Sequence, residues 1–190
     1  MNQTEYFVVL DDAHSHTSRY YQDFSHVDAI KAADLHQVDA LLKQGWAQGL
    51  HVVLWQSYDF GVELVFGGAA TALYLLWFKR CEVLNDTDAA LPWQHAAPVP
   101  TGIAALHSEV GEAEYLAHIA AIHTAITRGD VYQINYTTAW TGEAYGEPAR
   151  LYARLRERQQ VPYGVLACVP PEVNGGAAWH LGFSPELFLR

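Results

Sequence analysis

The strongest constraint on this chain is the change of periodicity at Gly129. Before this glycine, apolar residues recur at helical spacing, and after it they alternate with polar ones. Because glycine readily adopts the left-handed conformation that ends helices, the pattern predicts a helix followed directly by a strand over 131–140. The strand's apolar face, which we expect to be buried, comprises Tyr132, Ile134, Tyr136, Thr138 and Trp140. The opposite face would present Gln133 and Asn135 to a polar cavity.

Two short strings match a known signature in the same order along the chain. Residues 129–135 read Gly-Asp-Val-Tyr-Gln-Ile-Asn, and residues 184–189 read Ser-Pro-Glu-Leu-Phe-Leu. They resemble the Gly-Asp-Ile-Tyr-Gln-Val-Asn and Ser-Pro-Glu-Arg-Phe-Leu motifs of the chorismate-utilising enzymes, specifically those of the 4-amino-4-deoxychorismate synthase component I, or para-aminobenzoate synthase large subunit. A weaker match at 57–61 is similar to that family's Ser-Tyr-Glu-x-Gly stretch. The resemblance covers only the amino-terminal portion of such an enzyme.

The resemblance implies an α+β fold, with antiparallel sheets and outer helices forming the amino-terminal part of a two-lobed α/β sandwich. Apolar periodicity predicts helices near residues 34–48, 112–128 and 148–159. The third of these would follow Gly146 and place a proline in its first turn. Short apolar runs bounded by turn formers predict antiparallel strands. These runs are 6–10, 19–24, 51–55, 62–66, 71–79, 163–169 and 177–183.

The resemblance and the unfinished strand at the end of the sequence imply a truncated chain, 1–190, with three parts. We expect a first lobe at 1–80, an irregular connection rich in proline and aspartate at 81–110, and the start of a chorismate-binding core at 111–190. The final residues, 187–190, read as the opening of another strand. Since half of a two-sheet core would then be missing, we expect exposed apolar surface and self-association.

Charge and cysteine usage exclude several classes of function. A formal net charge of -10 repels phosphate backbones and anionic lipids, so we expect neither a nucleic-acid nor a membrane partner. The two cysteines, Cys81 and Cys168, match no metal or redox spacing, and the start of the chain does not read as a secretory signal. His14 and His16 lack a third ligand of suitable spacing nearby. We therefore predict a cytoplasmic protein and assign no metal-ligating residue.

The resemblance assigns a catalytic role to Glu186, which occupies the glutamate position of the Ser-Pro-Glu motif. In the family this residue is the general acid that protonates the departing C4 hydroxyl of chorismate. Such help is needed because hydroxide is a poor leaving group. The same resemblance implies that Gln133, Asn135 and Ser184 bind the substrate. We expect Gln133 and Asn135 to point into the same cavity as Glu186.

Gln133 separates branches of this superfamily. In the isochorismate and salicylate synthases the corresponding residue is a lysine that activates water for attack at C2. A glutamine amide cannot usefully accept a proton, so this chain resembles the ammonia-using branch. Asn135 further favours the aminodeoxychorismate branch over anthranilate synthase, whose strand usually continues Gln-Val-Val.

The resemblance therefore implies a transferase of para-aminobenzoate and folate-precursor synthesis, which aminates chorismate to 4-amino-4-deoxychorismate with ammonia from a glutamine amidotransferase subunit. The family's lysine that attacks C2 and the carboxylates that hold Mg²⁺ would lie beyond Arg190. We accordingly expect the fragment itself to hold no Mg²⁺ and to be inactive alone. Two alternatives remain open: component I of an anthranilate synthase, and a non-enzymatic binding module that uses the same half-fold.

Overall fold

A computed structural model describes residues 5–68 and 71–187, and it confirms the predicted α+β fold. The strands are β1 (Phe7–Asp12), β2 (Thr17–Ile30), β3 (His51–Gln56), β4 (Leu73–Asn85), β5 (Gly102–Ser108), β6 (Trp140–Tyr145), β7 (Tyr163–Cys168) and β8 (Trp179–Ser184). The α-helices are α1 (Val38–Ala47), α2 (Tyr58–Phe66), α3 (Glu112–Arg128) and α4 (Pro148–Arg158). Every strand pair within the described residues is antiparallel. The predicted helices near 34–48, 112–128 and 148–159 are confirmed, the first beginning as a 3-10 helix over Ala32–Gln37.

The chain divides into two compact units. The sheet unit comprises Met1–Ala97 and Pro148–Arg190, and the signature unit comprises Pro98–Glu147. The predicted lobes at 1–80 and 111–190 stay a prediction.

The sheet unit is built on six strands in the order β3-β4-β2-β1-β7-β8. The central strand β1 shows why this sheet is stable: Val8 and Val9 point to opposite faces, and both are fully buried. One face carries a core cluster of Val8, Tyr21, Leu76, Phe78, Ala167, Val169 and Val173. The other carries a core cluster of Val9, Tyr20, Leu91, Trp93, Ala149, Tyr152 and Leu166, in which Ala149 and Tyr152 belong to α4. Burial of both faces removes a large apolar area from water, which is the main driving force for folding.

A third cluster joins α1 and α2 to the sheet through Trp77 of β4. Trp77 is buried, and its Nε1 donates a hydrogen bond of 2.8 Å to Asp28 Oδ2. The ring lies directly against Gly45 of α1, leaving no room for a Cβ at that position. The close approach of helix and strand therefore depends on a glycine.

The signature unit contains the two-stranded sheet β5-β6 and α3. As predicted, α3 ends at Gly129 in the left-handed conformation, with φ 77°. The N–H of Asp130 donates to the carbonyl of Ala125, which is a glycine-type helix cap. No residue of α3 is fully buried.

Two predicted segments differ from the observed structure. Residues 62–66 are not a strand but the second half of α2, because the Ser57 side chain accepts a hydrogen bond from the N–H of Phe60 and caps a helix there. The predicted irregular connection at 81–110 contains the end of β4 and all of β5. Turn-forming residues there occupy only the stretch between these strands. The predicted strand opening at 187–190 falls almost entirely outside the described residues.

Candidate functional site

The signature segment, residues 131–139, is not the strand that its alternating pattern predicts. It has no regular secondary structure, and β6 begins only at Trp140. The reason is the lack of a partner: β5 pairs with β6 from Gly102 to Ser108, and that register ends at Ser108 opposite Trp140. Alternation makes a segment suitable for a strand, but the backbone N–H and C=O groups still need a neighbour.

The apolar side chains of the signature segment are correspondingly exposed. Tyr132 is 93% exposed, Ile134 is 42% exposed and Trp140 is 61% exposed, so the expected burial of this face is wrong. Tyr136 is the half-buried exception within this set. It contacts two residues of α3, which spacing alone did not indicate.

The two amide residues of the signature lie together. Gln133 Nε2 donates a hydrogen bond of 3.2 Å to Asn135 Oδ1, and both side chains are exposed. The pair therefore offers solvent an uncharged surface that can both donate and accept hydrogen bonds.

The Ser-Pro-Glu motif forms a turn at the end of β8 in the sheet unit. Ser184 Oγ donates to the carbonyl of Glu186 at 2.9 Å, and the N–H of Glu186 lies 3.4 Å from the same oxygen. These bonds hold the backbone of the turn and leave the Glu186 carboxylate exposed to solvent. Ser184 is thus near Glu186, and Gln133 is near Asn135. Because the two pairs lie in different units, their sharing of one cavity stays a prediction.

A cavity of about 840 Å³ lies in the sheet unit beside the Ser-Pro-Glu turn. Leu187 lines it directly after Glu186, and β7 brings Tyr163 opposite Ser184. The guanidinium-bearing Arg19 of β2 also lines this space. The cavity is large enough for a small organic molecule.

Sequence reasoning missed a buried polar network centred on Asp11 of β1. Asp11 is 3% exposed, and Arg156 of α4 holds its carboxylate with Nε at 2.6 Å and Nη2 at 3.2 Å. Tyr152 OH and Ser18 Oγ donate to the same carboxylate at 2.9 Å and 3.0 Å. Burial raises the pKa of Tyr152, and the neighbouring Asp11 charge adds to that effect.

The network continues to the surface through Asp86. The hydrogen bond with His16 Nδ1, 2.8 Å long, lowers the pKa of Asp86, and the nearby Arg156 charge lowers it further. No spacing rule could have found these contacts, since Asp11 and Arg156 lie 145 positions apart. The sequence shows a four-residue spacing of Arg150, Arg154 and Arg158, and Arg156 is not part of that series.

The described residues contain neither a metal-binding cluster nor a membrane-spanning helix. In 5–68 and 71–187, no group of three or more His, Cys, Asp and Glu side chains could hold a metal ion. No helix in those ranges has both the length and the apolar character to cross a bilayer.

Comparison with known proteins gives one clear match. A family model described as chorismate binding enzyme matches residues 8–190. Comparisons with curated proteins and with solved structures gave no match. The matched range includes both motifs and both units.

Proposed function

The chain belongs to the family of chorismate-binding enzymes, and we propose that its protein aminates chorismate to 4-amino-4-deoxychorismate, a precursor of para-aminobenzoate and folate. The observation that carries this proposal is the uncharged Gln133-Asn135 pair. An amide at position 133 cannot take a proton from water, so hydrolytic attack lacks its base. Ammonia is itself a nucleophile and needs no such base.

Glu186 supplies the acid of the proposed reaction. Its carboxyl group gives a proton to the C4 hydroxyl of chorismate, so that the C4–O bond breaks with release of water. The lone pair of ammonia forms the C4–N bond in place of the broken C4–O bond, and the nitrogen loses one proton to the Glu186 carboxylate. The turn made by Ser184 supports this role, because it fixes the Glu186 backbone while leaving the carboxyl group without a competing intramolecular partner in the described structure.

The proposed reaction needs a source of ammonia. We assign this role to a glutamine amidotransferase subunit, which would hydrolyse glutamine and deliver ammonia to the chorismate site. No step of the proposed reaction is assigned to Mg²⁺. Cytoplasmic location likewise stays a prediction.

The experiment that tests this proposal is the substitution Glu186→Gln in the complete polypeptide that contains this sequence. Glutamine keeps the size and hydrogen-bonding capacity of the side chain but has no transferable proton. We expect chorismate binding to persist while turnover falls by roughly a hundredfold or more. Added ammonium salts should not restore the rate, because the defect lies in departure of the C4 hydroxyl. The matched control is Glu172→Gln, an exposed acid in the same unit, which should retain full turnover.

Product analysis of the unmodified protein decides between branches. The proposal requires 4-amino-4-deoxychorismate from chorismate and ammonia. Anthranilate with pyruvate would assign the protein to the anthranilate branch and show that Asn135 is not a branch marker. Full turnover by the Glu186→Gln variant would remove Glu186 from the chemistry.

A further inference from the structure

The signature segment has contacts at three points along its length. At its start, the Gly129 cap fixes the chain as it leaves α3. At its end, the N–H of Glu109 donates to the carbonyl of Ala139 at 3.0 Å, just before β6 begins. Between these points the backbone belongs to no helix or strand. Its conformation there must be set by side chains.

Tyr136 makes the middle contact. Its hydroxyl lies 2.8 Å from His118 Nδ1. Its ring meets Tyr115 edge to face, with centroids 5.6 Å apart, and lies 5.7 Å from the His118 ring. One polar and two ring contacts thus attach a single side chain of the segment to one face of α3.

The surroundings of His118 indicate which atom donates in this hydrogen bond. His118 Nε2 lies 4.0 Å from Glu114 Oε1, one helical turn earlier. A carboxylate on that side favours the tautomer with its proton on Nε2. Nδ1 then accepts, and the Tyr136 hydroxyl donates.

Tyr136 directly follows Asn135, whose amide oxygen accepts from Gln133. From this arrangement we infer that His118 is a positioning residue for the signature amides. By holding Tyr136 against α3, it fixes the orientation in which Gln133 and Asn135 are presented to substrate. His118 need not touch the substrate, since it acts through Tyr136. The substrate part of this inference rests on the proposed function.

The test compares variants that separate the hydrogen bond from the ring contacts. Tyr136→Phe removes the hydroxyl and keeps the ring. His118→Ala removes the acceptor, whereas His118→Asn keeps an acceptor oxygen close to the position of Nδ1. His123→Ala is the matched control, because His123 is an exposed histidine of the same helix.

The first readout needs no activity: the NMR resonances of the Gln133 and Asn135 side-chain amides. We expect both resonances to move in Tyr136→Phe and in His118→Ala, to return toward their original positions in His118→Asn, and to stay unchanged in His123→Ala. Equal movement of both resonances in His123→Ala would show that any substitution on α3 moves them, and it would overturn the inference. Unchanged amide resonances in Tyr136→Phe would overturn the inference.

The second readout is steady-state kinetics with chorismate and ammonium. Loss of one net hydrogen bond corresponds to a rise in KM for chorismate on the order of fivefold, with a smaller change in kcat. The double variant His118→Ala/Tyr136→Phe should lose no more than His118→Ala alone, since His118→Ala already lacks both the hydrogen bond and the ring contact with Tyr136. Additive losses, or an unchanged KM with shifted amide resonances, would contradict a role toward substrate. If the unmodified protein does not convert chorismate, the proposed function fails. The amide resonances alone then decide whether His118 positions Gln133 and Asn135 through Tyr136.

Discussion

The sheet unit and the signature unit differ in how their apolar residues are used. In the sheet unit, neighbouring residues such as Val8 and Val9 are buried on opposite faces of one strand. In the signature unit, α3 has no fully buried residue, and Leu106 and Leu116 are more than half exposed. The segment that resembles the family motif therefore lies in the unit whose helix has no fully buried residue. We predict that the stability of the sheet unit is separable from the conformation of the signature segment.

The largest effect expected from this contrast is in the buried network of the sheet unit. Arg156→Met removes the cation that compensates Asp11, whose remaining partners are two hydroxyl groups. A buried charge left without its counter-ion costs about 3–5 kcal/mol in the free energy of unfolding. Urea denaturation followed by tryptophan fluorescence measures this loss. Arg158→Met, on an exposed position of the same helix, should stay within about 0.5 kcal/mol of the unmodified chain.

A second effect tests the contact between α1 and β4. Gly45→Ala would place a methyl group in the Trp77 ring, and that ring is held by its hydrogen bond to Asp28. Overpacking of this kind costs about 1–3 kcal/mol, more than alanine gains in helix propensity. Gly61→Ala offers the opposite case. A Cβ at position 61 would have Gln56 Nε2 as its nearest neighbour, at 3.8 Å, which is an ordinary van der Waals distance. That variant should gain roughly 0.5–1 kcal/mol, and a loss at Gly61 would contradict the packing argument.

A smaller effect is expected at the helix end in the signature unit. Gly129 has φ 77°, so Gly129→Ala should destabilise the end of α3 by about 1 kcal/mol. Asparagine tolerates this conformation better, and Gly129→Asn should recover part of the loss. Faster hydrogen exchange of the last amides of α3 reports the change. Equal exchange in all three chains would show that the glycine cap contributes nothing.

The smallest effect is the pH dependence contributed by Asp86. Because the pKa of Asp86 lies below its usual value of 3.8, this carboxylate stabilises the folded chain above that pH. The contribution is lost as pH falls through the lower folded-state pKa. The difference in unfolding free energy between the unmodified chain and Asp86→Asn, below about 1 kcal/mol, should therefore vanish as the pH falls through this folded-state pKa. A difference that persists in strong acid would contradict this prediction.

The sequence alone predicts the features that depend on residues close together in the chain, and it fails for those that depend on distant segments. Helices α1, α3 and α4 follow from local periodicity, and the cap at Gly129 follows from one residue type. The signature segment was predicted wrongly because strand formation depends on a partner, and β5 provides none before Trp140. The apolar pattern also failed to predict the helix Tyr58–Phe66, which begins where the Ser57 side chain accepts a hydrogen bond from the N–H of Phe60.

The candidate site divides in the same way. Its residue types could be identified because Gln133 and Glu186 lie in recognisable strings. The contact between Tyr136 and His118 could not be predicted, since these residues lie 18 positions apart and follow no regular spacing. Asp11 and Arg156 are farther apart still, and their pairing follows from the packing of α4 on the sheet rather than from any motif.

The measurement that tests this division most directly is native-state hydrogen exchange over a series of low urea concentrations. Amides of β1 and β7 should exchange only through global unfolding, whereas amides of α3 should exchange through openings of clearly lower free energy. Arg156→Met should lower the first free energy and leave the second unchanged. Equal free energies in β1 and α3, falling together in Arg156→Met, would contradict the separation of stability from the signature segment.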